Sequence, residues 1–135
     1  MKKFRLLCTL FLLVSLLVSC TLETEPEVAE DSEYIRIDAE EAKEMMENED
    51  VIIVDVRTEE EFEEQHIEGA ILIPDYEIED LAEEKLPDKE ATILVYCRTG
   101  RRSENASRAL IEMGYTSVYD FGGIVDWDYE TTSGE

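Results

Sequence analysis

Two uninterrupted apolar tetrads, Val51-Ile52-Ile53-Val54 and Ile93-Leu94-Val95-Tyr96, constrain the fold of this chain more than any other feature. A strand with one wet face alternates apolar and polar residues, so a continuous run marks a strand covered on both faces. Helical stripes separate the runs. Asp38 with Glu41 makes a capping box ahead of Ala39, Ala42, Met45 and Met46. Thr58 with Glu61 opens a second, shorter helix that turns Phe62 inward. Ile78, Leu81, Ala82 and Leu86 mark a third helix, closed by Pro87. Ala106, Ala109, Leu110 and Met113 mark a fourth, with Gly114 just past its end. Short strands are expected at 34–37, at 70–73 before Pro74, and at 117–119. Gly122-Gly123 then lead into a terminal helix carrying Trp127. Strands alternating with helices over short links make an α/β fold, with a mostly parallel sheet and helices on both faces. Ligands of such sheets bind beyond the carboxyl ends of the strands. Asp55-Val56-Arg57 and Cys97 both stand at such ends.

The first 19 residues stand outside this pattern. Lys2, Lys3 and Arg5 precede an apolar run over 6–18, shorter than the roughly 18 residues of a membrane span. It reads as the apolar region of a secretory signal. The run ends in Leu17-Val18-Ser19-Cys20, which resembles the lipobox of bacterial lipoproteins, whose cysteine is lipidated and becomes the mature N-terminus. Residues 20–33 follow as a flexible tether: five Glu, one Asp, Pro26 and no basic residue bury too little surface to offset the entropy of ordering. One domain over 34–130 and a disordered tail over 131–135 complete the chain. An extracytoplasmic protein anchored by Cys20 is therefore expected. Thr21 supplies no aspartate retention signal, so the outer membrane is expected in a two-membrane cell and the cell membrane in a one-membrane cell. Without residues 1–19, nine Lys and Arg remain against 35 Asp and Glu, a formal charge of −26. That excess argues against nucleic acid or an anionic lipid surface as partner.

Cys8 leaves with the signal and Cys20 carries lipid, so Cys97 is alone in the domain. There is no disulfide framework, metal-ligand cluster or dinucleotide loop. The stretch Cys97-Arg98-Thr99-Gly100-Arg101-Arg102-Ser103 sets a thiol at a strand end, then a basic loop, then a helix start. Such a loop aims backbone N–H groups and the positive end of a helix dipole at the sulfur. Thiolate is thereby favoured over thiol, and thiolate is the reactive form. Arg98, Thr99, Gly100, Arg101, Arg102 and Ser103 form the expected anion cradle, with Gly100 free to adopt a conformation that side chains hinder. Arg102, then Arg98, lead the candidates for direct anion contact, while Arg108 points to solvent.

These residues carry a resemblance. Asp55-Val56-Arg57, Glu61-Phe62, His66-Ile67-Glu68-Gly69-Ala70 and Ile73-Pro74 look like the N-terminal signature of a rhodanese domain. Cys97 to Ser103 looks like its active-site loop, and Gly122-Gly123 with Trp127 like its C-terminal signature. Three motifs in order, spread over the domain, are far more specific than one. The resemblance implies a three-layer α/β/α domain with a central five-stranded parallel sheet. It also implies sulfurtransferase chemistry at Cys97; separately, a monomer without cofactor or metal is expected. Cys97 would take sulfur from a small anionic donor such as thiosulfate, hold it as a persulfide and pass it to a thiol or cyanide. Asp55 and Arg57 are read as supporting residues that knit loops by charge-assisted bonds. The single histidine, His66, belongs to a structural turn, and Trp127 packs near the pocket rim.

The same cysteine and loop admit two other readings. A cysteine phosphatase or arsenate reductase needs a Cys-x5-Arg loop, but Ser103 occupies the arginine position and Tyr96 precedes the cysteine. The loop is also one residue short for wrapping a tetrahedral oxyanion. A persulfide carrier or docking module without turnover would keep the same cysteine and loop.

Overall fold

The computed structural model describes residues 33–134. The signal at 1–19, Cys20 and the tether up to residue 32 lie outside the described residues. The elements run β1 (Ile35–Arg36), α1 (Ala39–Asn48), β2 (Val51–Asp55), α2 (Glu59–Glu64), β3 (Ile71–Leu72), α3 (Ile78–Lys85), β4 (Thr92–Cys97), α4 (Arg101–Glu112) and β5 (Val118–Gly123). Single 3-10 turns at Asp75–Glu77 and Ile124–Asp126 complete them. The strands form one five-stranded sheet in the order β1-β5-β4-β2-β3, with every pair parallel. The expected α/β architecture is therefore present.

The apolar tetrads lie where two-sided burial requires them, as neighbours at the centre of the sheet. Along β4 the side chains alternate between two cores. Ile93, Val95 and Cys97 join Ile78, Ala82, Ala106 and Leu110 beneath α3 and α4. Leu94 and Tyr96 join Ala42, Phe121 and Trp127 on the α1 side. This period-two alternation, with both sides apolar, is why the run has no polar break. Local chemistry starts the helices: the Asp38 carboxylate accepts the Glu41 N–H, and Thr58 with Glu61 closes a reciprocal capping box.

Four details differ from expectation. The strand at 70–73 shrinks to two half-buried residues at the sheet edge. The last strand runs on through Gly122 and Gly123, which pair beside Cys97 instead of leading into a helix. The terminal helix is one 3-10 turn, and Trp127 follows it, packed against Phe121 and Tyr129. The segment expected as a disordered tail is held, because His66 and Thr132 exchange backbone hydrogen bonds of 2.8 Å and the Gly134 N–H donates to the Glu63 carbonyl. Two strand-like bonds and a loop contact there offset the ordering entropy that a polar tail would otherwise keep.

Candidate active site

Cys97 ends β4 at the carboxyl edge of the sheet, and α4 begins four residues later. The turn between them is possible because Gly100 takes φ +105°, a left-handed conformation that residues with a Cβ rarely adopt. The Gly100 N–H then donates to Cys97 Sγ at 3.0 Å. Ser103 Oγ lies 3.6 Å from Cys97 Sγ and within reach of the Gly100 and Gly122 carbonyls, so its one proton goes to a carbonyl while the thiol is protonated and turns to the sulfur once the thiol ionises. Burial alone pushes the Cys97 thiol up, since the residue is 1% exposed. The Ser103 hydroxyl and the backbone N–H groups of Ser103, Gly100 and Thr99 outweigh burial and hold the thiol below its usual range. The sulfur also faces the N-terminus of a 12-residue helix, whose first N–H groups have no partner within the helix.

The loop is clamped from behind by Gly122 and Gly123 of the C-terminal signature and by Asp120, Arg36 and Tyr34, for which the sequence carries no site motif. Gly123 pairs with Cys97 across the sheet, after an irregularity in which Phe121 to Gly123 gain one residue on β4. A Cβ on Gly123 would overlap the Arg98 carbonyl and come within 2.7 Å of Thr99 Cα. Buried Asp120 accepts the Gly122 N–H at 2.9 Å, the Arg36 guanidinium at 2.8 Å and the Tyr34 hydroxyl at 2.5 Å. The Arg36 guanidinium in turn covers Gly100 and Gly122, where any side chain would meet it. The one signal for this cluster is a carboxylate inside an apolar strand, which must be compensated. Gly123→Ala is expected to cost about 1–3 kcal/mol through overpacking. It should also slow alkylation of Cys97 at neutral pH, because Thr99 and Gly100 must move. Thermal unfolding and the iodoacetamide rate check both.

The predicted cradle residues separate into groups. Gly100 and Ser103 touch the sulfur. Arg98, Thr99 and Arg101 are exposed at the mouth. Arg102, the leading candidate for anion contact, instead makes a two-pronged pair with Glu61 at 2.8 and 2.9 Å. That pair holds the Glu61 carboxyl down at about 2, so it is ionised at any working pH. Asp55 and Arg57 form a buried ion pair, and Arg57 Nη2 also donates to the Gln65 carbonyl at 2.5 Å. Arg57, Glu61, Glu64, Arg98, Ile124 and Val125 line a cleft of about 320 Å³ beside the loop. His66 stacks on Phe62 at 3.7 Å, and its Nδ1–H donates to the Phe62 carbonyl at 2.8 Å, since a carbonyl can only accept. Trp127 lines a different cavity with Lys43 and Met46.

A parallel α/β sheet that presents a buried thiol, held below its usual range, at a helix N-terminus is an arrangement suited to cysteine nucleophile chemistry. The chain belongs to the rhodanese-like domain family, which it matches over residues 38–130. It is 44% identical over 73 residues to thiosulfate sulfurtransferase PspE of Escherichia coli K12, covering 54% of this chain and 70% of that protein. It is 35% identical over 95 residues to thiosulfate sulfurtransferase GlpE of Coxiella burnetii, covering 70% and 87%. A solved rhodanese with anions from E. coli superposes with a TM-score of 0.60 at 39% identity, covering 63% of this chain and 100% of that one.

Proposed function

We propose that this protein is a thiosulfate sulfurtransferase working through a persulfide on Cys97. The observation that carries this reading is the Cys97 sulfur, held by the Gly100 N–H and the Ser103 hydroxyl at the start of α4. The thiolate attacks the outer sulfur of thiosulfate. The new S–S bond forms as the bond to the sulfonate sulfur breaks, and its electron pair leaves with sulfite. An acceptor thiolate or cyanide then attacks the outer persulfide sulfur and returns Cys97 as thiolate. Charge balances in both steps and no strong base is required, which leaves His66 to its turn. The outer sulfur stands about 2 Å beyond Sγ, so forming the persulfide carries the reactive atom from a buried position toward the mouth. Exposed Arg98 and Arg101 attract the anion, and the unpaired N–H groups of α4 stabilise the departing sulfite.

The reading includes location. Removal of residues 1–19, lipidation of Cys20 and the acidic tether would hold the domain outside the cytoplasmic membrane, supported by Leu17-Val18-Ser19-Cys20 and the charge of the segment that follows. One measurement addresses both parts. Intact mass of the protein from its own membranes should show an N-terminus at Cys20 carrying lipid. Exposure to thiosulfate should add one sulfur atom, localised to Cys97. No added sulfur overturns the mechanism, and an unlipidated N-terminus overturns the anchor. Sulfur uptake with negligible transfer to cyanide or thiols would favour a carrier over an enzyme.

A further inference from the structure

We infer that Glu61 sets the charge of the donor this site accepts, by tying up the Arg102 guanidinium that would otherwise meet a second negative charge. The inference rests on the persulfide reading above and sharpens its substrate class. The loop brings three arginines to the mouth, but only Arg98 and Arg101 lack a side-chain partner among the described residues. Arg102 is within electrostatic reach of Cys97, yet both of its terminal nitrogens are engaged by one carboxylate. A bidentate guanidinium–carboxylate pair has fixed geometry and little residual charge to offer a third group. Glu61 is anchored at its other side, because its carboxylate also accepts from the Thr58 backbone N–H at 3.1 Å. It cannot swing away without opening the first turn of α2.

The adjoining cleft fits the same assignment. With Glu61 neutralised by Arg102 and Arg57 by Asp55, the wall presents the Glu64 carboxylate, Arg98 and the exposed apolar side chain of Val125. A compact dianion finds one unpaired arginine there for its two charges, with the Glu64 carboxylate beside it, whereas an organic sulfane donor with one negative charge finds an arginine for that charge and an apolar surface for its stem. Among sulfane donors the class assigned as preferred is the organic monoanion, of which alkyl thiosulfonates and low-molecular-weight persulfides are examples, with thiosulfate accepted at lower efficiency.

Thiosulfate and methanethiosulfonate test this directly, since they match in shape and differ by one charge. With the full chain and cyanide as acceptor, wild type should show the higher kcat/KM for methanethiosulfonate. Glu61→Gln keeps a capping partner for Thr58 but releases Arg102. It should shift the ratio of kcat/KM toward thiosulfate by about tenfold, mainly in KM. Arg102→Gln leaves Glu61 uncompensated and should shift the ratio the other way. The double variant should return near the wild-type ratio, and Glu61→Asp should stay close to it. A ratio unchanged in Glu61→Gln, or a double variant that keeps the full shift of Glu61→Gln, would overturn the inference and leave Glu61 as a helix cap. Absence of turnover and of persulfide with both donors in wild type would instead sink the parent mechanism.

Discussion

Cys97→Ala is expected to lower sulfur transfer at least about a thousandfold while leaving the fold intact. Removing a nucleophile removes the covalent path, and what remains is binding and the N–H cradle. Cys97 is also a core residue, 1% exposed in the cluster that holds Val95 and Ala106, so its loss opens a small cavity worth about 1 kcal/mol. The two effects separate cleanly: a small drop in urea midpoint with complete loss of turnover marks catalysis, whereas parallel losses mark structure. Serine is no substitute, since its hydroxyl stays protonated where the thiol ionises. The pH dependence adds a second check. Because Ser103, Gly100 and Thr99 hold the thiol below its usual range, iodoacetamide alkylation should reach its plateau at lower pH than for a free cysteine. Ser103→Ala removes one of those donors and should move the plateau upward. An unchanged plateau in that variant would mean that the backbone N–H groups alone set the thiolate.

Much of this site was legible because its chemistry is contiguous. Cys97, Gly100 and Ser103 lie within one turn, and strand end, left-handed glycine and helix start are each written locally. The central strands were equally plain, since burial on both faces leaves a continuous apolar run. What stayed hidden depends on partners far apart in the chain. Glu61 fits a local capping box so well that its pairing with Arg102, 41 residues away, leaves no trace in spacing. Asp120 and Arg36 meet across 84 residues. The end of the last strand was hidden for the opposite reason. Gly122 and Gly123 weaken the local strand signal, yet the close approach of the Cys97 loop demands a residue without a side chain at position 123. A glycine pair expected to lead into a terminal helix is instead a packing requirement at the end of β5.

Asp55→Ala should produce the largest loss of stability, about 3–5 kcal/mol. The carboxylate is fully buried and accepts from the Arg57 backbone N–H at 2.9 Å, from Nε at 3.0 Å and from Nη2 at 2.6 Å. Arg57 is itself only 4% exposed. Without Asp55 its guanidinium keeps the Gln65 carbonyl and the face of Tyr96, 5.6 Å away, and neither supplies a counter-charge. A deficit of that size is a large part of the roughly 5–15 kcal/mol that holds a domain together. The double variant Asp55→Leu with Arg57→Leu removes both charges and should lie within about 2 kcal/mol of wild type, because it leaves no ion stranded in the core. Urea midpoints followed by Trp127 fluorescence distinguish the two. A single-variant cost under about 1 kcal/mol would show that water or a side-chain movement rescues Arg57. The double variant should nonetheless lose activity. Arg57 ties the carboxyl end of β2 to Gln65 and walls the cleft beside Arg98. A stable double variant with impaired turnover would assign the pair to the shape of the cleft, and one with full turnover would remove it from the site.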